Sequence, residues 1–196
     1  MNIGIYIYDQ AEVLDFSGPF EVFSTASRLC ENGGLFNTFL VSETGEMVTA
    51  RAGYRVLPSF GFHDHPAIDV LIVVGGVHAA EMKKQQVIDW TRLVSKTTMV
   101  TASVCTGAFL LAQAGVLTNQ KVTTHWEDIS DLKQTFPRLE VVENVSWVED
   151  ENIITSGGIS AGIDMSLHLV AKLYNYELAE KTAKQMEFRW LRNGLL

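Results

Sequence analysis

Hydrophobic positions in this chain fall into short β-branched runs and longer stretches of helical spacing, with glycine-bearing turns between them. Ile3 to Tyr8 is an uncharged, β-branched and aromatic run, the pattern of a central parallel strand. Ser17-Gly18-Pro19 supplies an N-cap and an early-turn proline, which predicts a helix from about Pro19 to Cys30, stopped before Gly33-Gly34. Phe36 to Ser42 reads as a second strand, and Met47 to Arg51 with Tyr54 to Leu57 as a hairpin or edge pair turned through Gly53. Asp69 to Val74 is the clearest buried strand and ends in Gly75-Gly76. Ala79 to Ser95 follows as an amphipathic helix with Val87, Trp90, Leu93 and Val94 on one face.

The alternation continues with a strand at Met99 to Val104 and a helix at Thr106 to Ala114, closed by Gly115. Lys121 to Thr124 is a short strand, and Trp126 to Thr135 a helix ended by Pro137. Glu140 to Glu143, Ser146 to Glu149 and Ile153 to Thr155 form a β region turned at Asp150-Glu151-Asn152. Two helices, about Ala161 to Tyr174 and Glu177 to Leu191, complete the chain. This order predicts an α/β fold, a doubly wound, mostly parallel sheet sandwiched by helices. No repeat, low-complexity segment or Pro/Ser linker interrupts it, so residues 1–196 read as one domain, long enough for one sizeable core.

Charge narrows the choice of partners. Fifteen basic against 23 acidic residues leave a net charge of −8, with no basic cluster longer than Lys83-Lys84, so a direct nucleic-acid surface is not expected. The uncharged stretch from Met99 to Leu117 is long enough to suggest a membrane span. Thr101, Ser103, Cys105, Thr106 and Gln113 interrupt it, and its pattern changes from strand to helix, so no membrane association is expected. The N-terminus lacks the basic start of a secretory signal, which points to the cytoplasm. Two cysteines do not make a disulfide framework. Cys30, at a helix end before Glu31-Asn32-Gly33-Gly34, reads as a buried or half-buried small apolar residue.

Cys105 is different. Thr101 to Gly107 runs from strand into helix with small residues around one possible nucleophile, the pattern of a nucleophile elbow. Ser103 and Gly107, two before and two after the cysteine, are small enough to let strand and helix pack closely. At a helix N-terminus the positive end of the macrodipole is expected to favour thiolate over thiol. The N–H of Thr106 and those of Gly75-Gly76-Val77 form a candidate oxyanion hole. The other reading of the same residues is a buried structural cysteine in a β-α turn.

Five segments in order, LDFSGPFEVFS (Leu14 to Ser24), DVLIVVGG (Asp69 to Gly76), SVCTGAFLLAQAGVL (Ser103 to Leu117), TTHW (Thr123 to Trp126) and TSGGISAGIDMSLHLV (Thr155 to Val170), resemble the DJ-1/PfpI (ThiJ) superfamily. Within it they resemble the branch of isonitrile hydratases and the amidotransferase-like N-terminal domains of AraC-type regulators. The resemblance implies a flavodoxin-like fold, a homodimer, and Cys105 as nucleophile with Thr106 as a donor to substrate. Asp15 matches the acid beside the cysteine in isonitrile hydratases and would carry a proton or activate water. Its alternative is an N-cap partner for the first helix, and Glu21 is the competing carboxylate. His125 falls where related proteins carry a histidine near the cysteine, either in a Cys-His pair or lining the pocket. Thr106 replaces the histidine that follows the nucleophile in PfpI-like peptidases, which argues against proteolysis.

The remaining signals are weaker. His78 follows the Gly75-Gly76 turn and reads either as lining the pocket mouth or as a solvated loop histidine. Gly157 to Gly162 lacks the lysine of a phosphate loop, and its glycines instead suit close helix approach, with Asp164 as a hydrogen-bonding residue. His63-Asp64-His65 has no further ligand set, so no metal is expected, and no organic cofactor is implied. Lys184 to Leu196, with Met186, Phe188, Trp190 and Leu191, offers apolar surface for a dimer or for packing within the chain. The leading functional expectation is an isonitrile-hydratase-like hydro-lyase acting on a small molecule. The alternatives are a ligand-sensing module without a DNA-binding part, the chain to Leu196 having no room for one, or glyoxalase or amidase chemistry.

Overall fold

The longest apolar runs lie at the centre of the sheet because strands covered by helices on both faces have no polar side to show. A computed structural model describes residues 1–30, 33–192 and 194. Its elements are β1 (Asn2–Tyr6), α1 (Val13–Leu29), β2 (Asn37–Val41), β3 (Val48–Thr49), β4 (Arg55–Val56), β5 (Val70–Val73), α2 (Gln85–Ser95), β6 (Val100–Val104), α3 (Gly107–Gln113), β7 (Lys121–Val122), α4 (Ile129–Thr135), β8 (Glu140–Val141), β9 (Trp147–Asp150), β10 (Ile153–Ser156), α5 (Ala161–Leu173) and α6 (Tyr176–Gln185). The main sheet has the order β2-β1-β5-β6-β10-β9, parallel throughout except for β9 against β10. Helices α1, α5 and α6 pack together, as do α2 and α3. The doubly wound, mostly parallel sheet flanked by helices is therefore as the element order predicted.

Val70, Leu71, Ile72 and Val73 of β5 are wholly inaccessible to solvent, as are Ala102 and Val104 of β6. Strand order reverses between β1 and β5, so the C-terminal ends of β1, β5, β6 and β10 face a common crevice. The hairpin of β3 and β4 stands apart from the main sheet, and β7 pairs parallel with β8 in a second small ribbon.

Three helices depart from the sequence reading. The first begins at Val13, six residues before Pro19, which lies inside it. A long-range bond decides this start: Glu12 N–H donates to the Gly75 carbonyl at 2.9 Å, fixing the chain's entry before the proline is reached. The second is split, because the chain turns at Glu81–Lys83 and re-enters helix at Gln85. Glu81 points inward there, accepting from the Tyr6 hydroxyl and pairing with Lys84 at 3.0 Å. On α2 the buried apolar face carries Val87, Ile88, Trp90 and Val94, while Leu93 is 65% exposed and lies off it. The last helix stops at Gln185 instead of Leu191, since Glu187 adopts φ 51° and reverses the chain. Met186, Phe188 and Trp190 consequently pack onto the core of the same molecule. The end of the expected apolar segment, with Asn193, Leu195 and Leu196, and residues Glu31 and Asn32 lie outside the described residues.

Gly107 marks the tightest contact between layers. A Cβ there would lie 2.1 Å from the Val73 carbonyl oxygen, backbone that cannot yield without moving the end of β5. Gly107→Ala is expected to destabilise the fold by about 3 kcal/mol, the upper end of overpacking costs, measurable by urea unfolding.

Candidate active site

The end of β6 places a cysteine in a conformation that its residue type disfavours. Cys105 sits at φ 55°, in the left-handed region, so the chain turns sharply from strand into α3. Its N–H donates to the Ser156 and Gly157 carbonyls at 3.2 Å, tying the turn to the end of β10. The Thr124 hydroxyl donates to its carbonyl at 2.8 Å from the other side. These bonds hold a strained residue that local preference would release.

Asp15 lies in the first turn of α1 and is fully buried, with the N–H groups of two other loops aimed at it. Gly75 N–H donates to one carboxyl oxygen at 3.1 Å and Ile159 N–H to the other at 3.0 Å. The carboxyl is also within hydrogen-bonding reach of the Cys105 thiol. Burial pushes Asp15 up from its ordinary 3.8 to about 7, against the opposing pull of the two amides. Burial also pushes the Cys105 thiol well above its ordinary range, and the neighbouring Asp15 carboxylate adds to the rise; Thr106 N–H, pointing at the sulfur, opposes it. The expectation of a favoured thiolate is thus corrected: desolvation and a like charge outweigh the Thr106 N–H at the start of α3. Above about pH 7 the pair is a neutral thiol donating to an ionised carboxylate.

The amides of Gly75, Gly76 and Val77 do not form the expected oxyanion hole. Gly75 N–H is held by Asp15, Gly76 N–H donates to Thr106 Oγ1 at 3.0 Å, and Val77 N–H to the Gln10 carbonyl at 3.1 Å. The Thr106 hydroxyl is likewise committed, donating back to the Gly76 carbonyl at 3.1 Å. A Cβ on Gly75 would meet Thr106 N at 2.5 Å and Cys105 Cβ at 2.7 Å, so this glycine is required for the close approach of the two loops. Gly76, Val77, Cys105, Thr106 and His125 all line one cavity of about 470 Å³, and His78 lies on its wall with its ring 4.5 Å from that of Phe109.

His125 stands beside the cysteine across Gly158. A Cβ on that glycine would be 2.3 Å from His125 Nδ1 and 3.2 Å from Cys105 Sγ, while His125 Nε2 faces Glu127 at 3.5 Å. Sequence reasoning missed six members of the cavity wall, Ala79 and Glu127 and four that bear on the charge and backbone of the site. Asp128, pushed up by burial and pulled down by His125 and His78, acts on the Cys105 thiol through space. Glu12 and Arg51, paired at 3.5 Å, close the opposite side, and Ile159 supplies its N–H from φ 58°. Nothing in local sequence distinguishes these four, since long-range packing alone brings them together.

Other candidates lie elsewhere. Glu21 is bound to Arg28 at 3.2 Å and Thr25 at 2.9 Å on the outer part of α1. Asp64 accepts from Gly61 N–H at 2.7 Å. His65 has both ring nitrogens engaged, with Trp90 Nε1–H at 3.0 Å and the Pro66 carbonyl at 2.8 Å. Among the described residues no group of three or more His, Cys, Asp or Glu side chains is arranged to hold a metal ion. No helix among them is long and apolar enough to cross a membrane. Cys30 is half-buried at the end of α1.

Fold and site together define a class: α/β sandwiches with a buried cysteine on a left-handed strand-to-helix elbow and a carboxyl beside it. The sequence model of the DJ-1/PfpI family matches residues 1–172, and the chain belongs to that family. It is 32% identical to an isonitrile hydratase of Pseudomonas putida over 189 residues, 96% of this chain and 78% of that protein. It is 27% identical to the HTH-type transcriptional regulator GbdR of Pseudomonas aeruginosa over 98% of this chain, which spans about half (52%) of the regulator's length. A ThiJ/PfpI family protein from Pseudomonas syringae superposes with a TM-score of 0.85 at 27% identity, covering 95% of this chain and 74% of that one. Drosophila melanogaster DJ-1beta shares the fold, with a TM-score of 0.81 over 96% of this chain and 98% of that one at 20% identity.

Two outcomes follow from the buried pair. Iodoacetamide alkylation of Cys105, read by peptide mass, is expected to have its pH midpoint above the usual thiol value of about 8.5, and Asp15→Asn to lower it by about one unit or more. A carboxyl raised on folding keeps a proton that the unfolded chain releases, so stability is expected to fall as pH rises from 3.8 to about 7. Asp164, raised by burial to about 6, has the same sign. Thermal unfolding of wild type and Asp15→Asn checks this, the variant having the flatter profile.

Proposed function

We propose that this chain is a cysteine-dependent enzyme that hydrates an isocyanide to an N-substituted formamide. The observation that carries the reading is the buried Cys105 thiol within reach of an Asp15 carboxyl raised to about 7, at the wall of a 470 Å³ cavity. The similarity to an isonitrile hydratase over 96% of the chain supports it.

The proton inventory fits this chemistry. Ionised Asp15 takes the thiol proton as sulfur attacks the terminal isocyanide carbon, then returns that proton to the same carbon. The product is a thioimidate, with both new bonds at one atom. Asp15 next removes a proton from water as its oxygen adds to that carbon, and a proton passes to nitrogen. The C–S bond breaks, the sulfur regains a proton, and the formamide leaves, so the net change is the addition of one water. Thr106 N–H, aimed at the sulfur, steadies the thiolate while it is exposed. His125 lines the cavity and orients the substrate, while Gly76 and Val77 shape the wall and Gly75 holds the Asp15 carboxyl. No cofactor enters this scheme.

A panel of isocyanides assayed by gas chromatography tests the reading. Formamide formation is expected, with Cys105→Ala lowering kcat by about 10³-fold or more and Asp15→Asn by about 10²- to 10⁴-fold. Because protonated Asp15 cannot accept the thiol proton, kcat/KM is expected to fall on the acid side of about pH 7. Lack of any Cys105-dependent turnover would overturn the proposal. The match to regulators along 98% of the chain favours a second reading, a ligand-sensing domain. Its mark is a metabolite that raises the melting temperature without being consumed.

A further inference from the structure

A second space adjoins the cysteine cavity. It measures about 900 Å³ and extends from Gly158 to Trp126, Val145, Phe188 and Leu191. The two spaces share His125, Glu127 and Ile159 as walls. Gly158 lines the larger space, and a Cβ there would sit 2.3 Å from His125 Nδ1 and 3.2 Å from Cys105 Sγ, so at this glycine only bare backbone and the edge of the His125 ring separate the larger space from the sulfur. We infer that this second cavity receives the non-reacting part of the substrate, and that this part is bulky, apolar and without negative charge. The inference rests on the reading of Cys105 as a nucleophile toward a small molecule.

The walls carry the argument for chemical class. Phe188 and Leu191 arrive from the reversed segment after α6, Ile129 from α4, and Val145 from the loop before β9. Trp126 at the rim is 76% exposed, so its indole is open to a ligand in this space. Two of the charged groups in the wall, Lys133 and Asp164, have partners within the protein. Lys133 is paired with Glu143, and Asp164 accepts from Trp147 Nε1–H at 3.1 Å and Leu191 N–H at 2.6 Å. Glu127, Glu143 and Asp164 outnumber Lys133 in this wall, so a substrate carboxylate is disfavoured there. The volume lies at the upper end for small-molecule sites, ample for an aryl or cycloalkyl group.

Alkylation tests this without requiring turnover. Rate constants for Cys105 in the full chain are measured with iodoacetamide, N-benzyl iodoacetamide and its 4-carboxybenzyl analogue along the pH profile of the Cys105 reaction, to about two units above the usual thiol value of about 8.5. Cys30 in the same molecule is the reference. The benzyl reagent is expected to react with Cys105 about tenfold faster than iodoacetamide after normalisation, from ring burial, and the carboxylate to abolish that advantage. Val145→Trp and Ser130→Trp, each filling the second cavity from a different element, are expected to remove the advantage while leaving the iodoacetamide rate within about twofold. No benzyl preference, or equal slowing of all reagents in both variants, overturns the inference. A Cys105 inert to all three overturns it together with the nucleophile reading. Benzyl preference without isocyanide turnover removes the hydratase reading and leaves the subsite standing.

Discussion

The arrangement of this molecule around its cysteine depends on one buried carboxyl. Asp15 comes from the helix after β1, and the amides that reach it come from the loops after β5 and β10. The thiol beside it comes from the end of β6. Four strand ends that are far apart in sequence are therefore joined at a single side chain. A carboxylate accepting two amides in a site closed to water needs both of them, because an unpaired buried charge is strongly unfavourable. The same two amides moderate the rise in its pKa, leaving Asp15 near neutrality instead of permanently protonated.

Backbone strain follows from the same arrangement. Cys105 and Ile159 both adopt left-handed conformations that β-carbons disfavour. Cys105 is held by bonds to Ser156, Gly157 and Thr124, and Ile159 by its bond to Asp15. Strain of this kind persists only where surrounding contacts over-determine the conformation. Glycine makes that density possible, since β-carbons at Gly75 and Gly107 would collide with the neighbouring backbone.

Burial has a chemical consequence as well. An exposed cysteine at a helix start would favour the thiolate, whereas burial and the neighbouring carboxylate drive the Cys105 thiol upward and hold its proton. In the proposed reaction its nucleophilicity depends on Asp15 accepting that proton. A wall of Glu12, Arg51, His78, His125 and Asp128 surrounds the reacting space, so its field is set mostly by groups on other elements.

Much of this was legible in the residues alone. The strands at β1, β5 and β6 are long apolar runs whose burial on both faces leaves no alternative pattern, and the small residues around Cys105 identify an elbow because a close strand-to-helix turn admits nothing larger. Asp15 and His125 were visible through motif resemblance, although their contacts were not. The start of α1 was misplaced because a bond from Glu12 to Gly75 overrode the local signal of Ser17 and Pro19. The end of α6 was misplaced because packing of Phe188 and Trp190 onto the core outweighed helical spacing. Local patterning, then, determined the elements, their order and the residue able to carry chemistry. Tertiary structure decided which amides were consumed, which carboxyl was buried and in which direction the thiol titrates, because hydrogen-bond partners and desolvation depend on atoms that only the folded chain brings together.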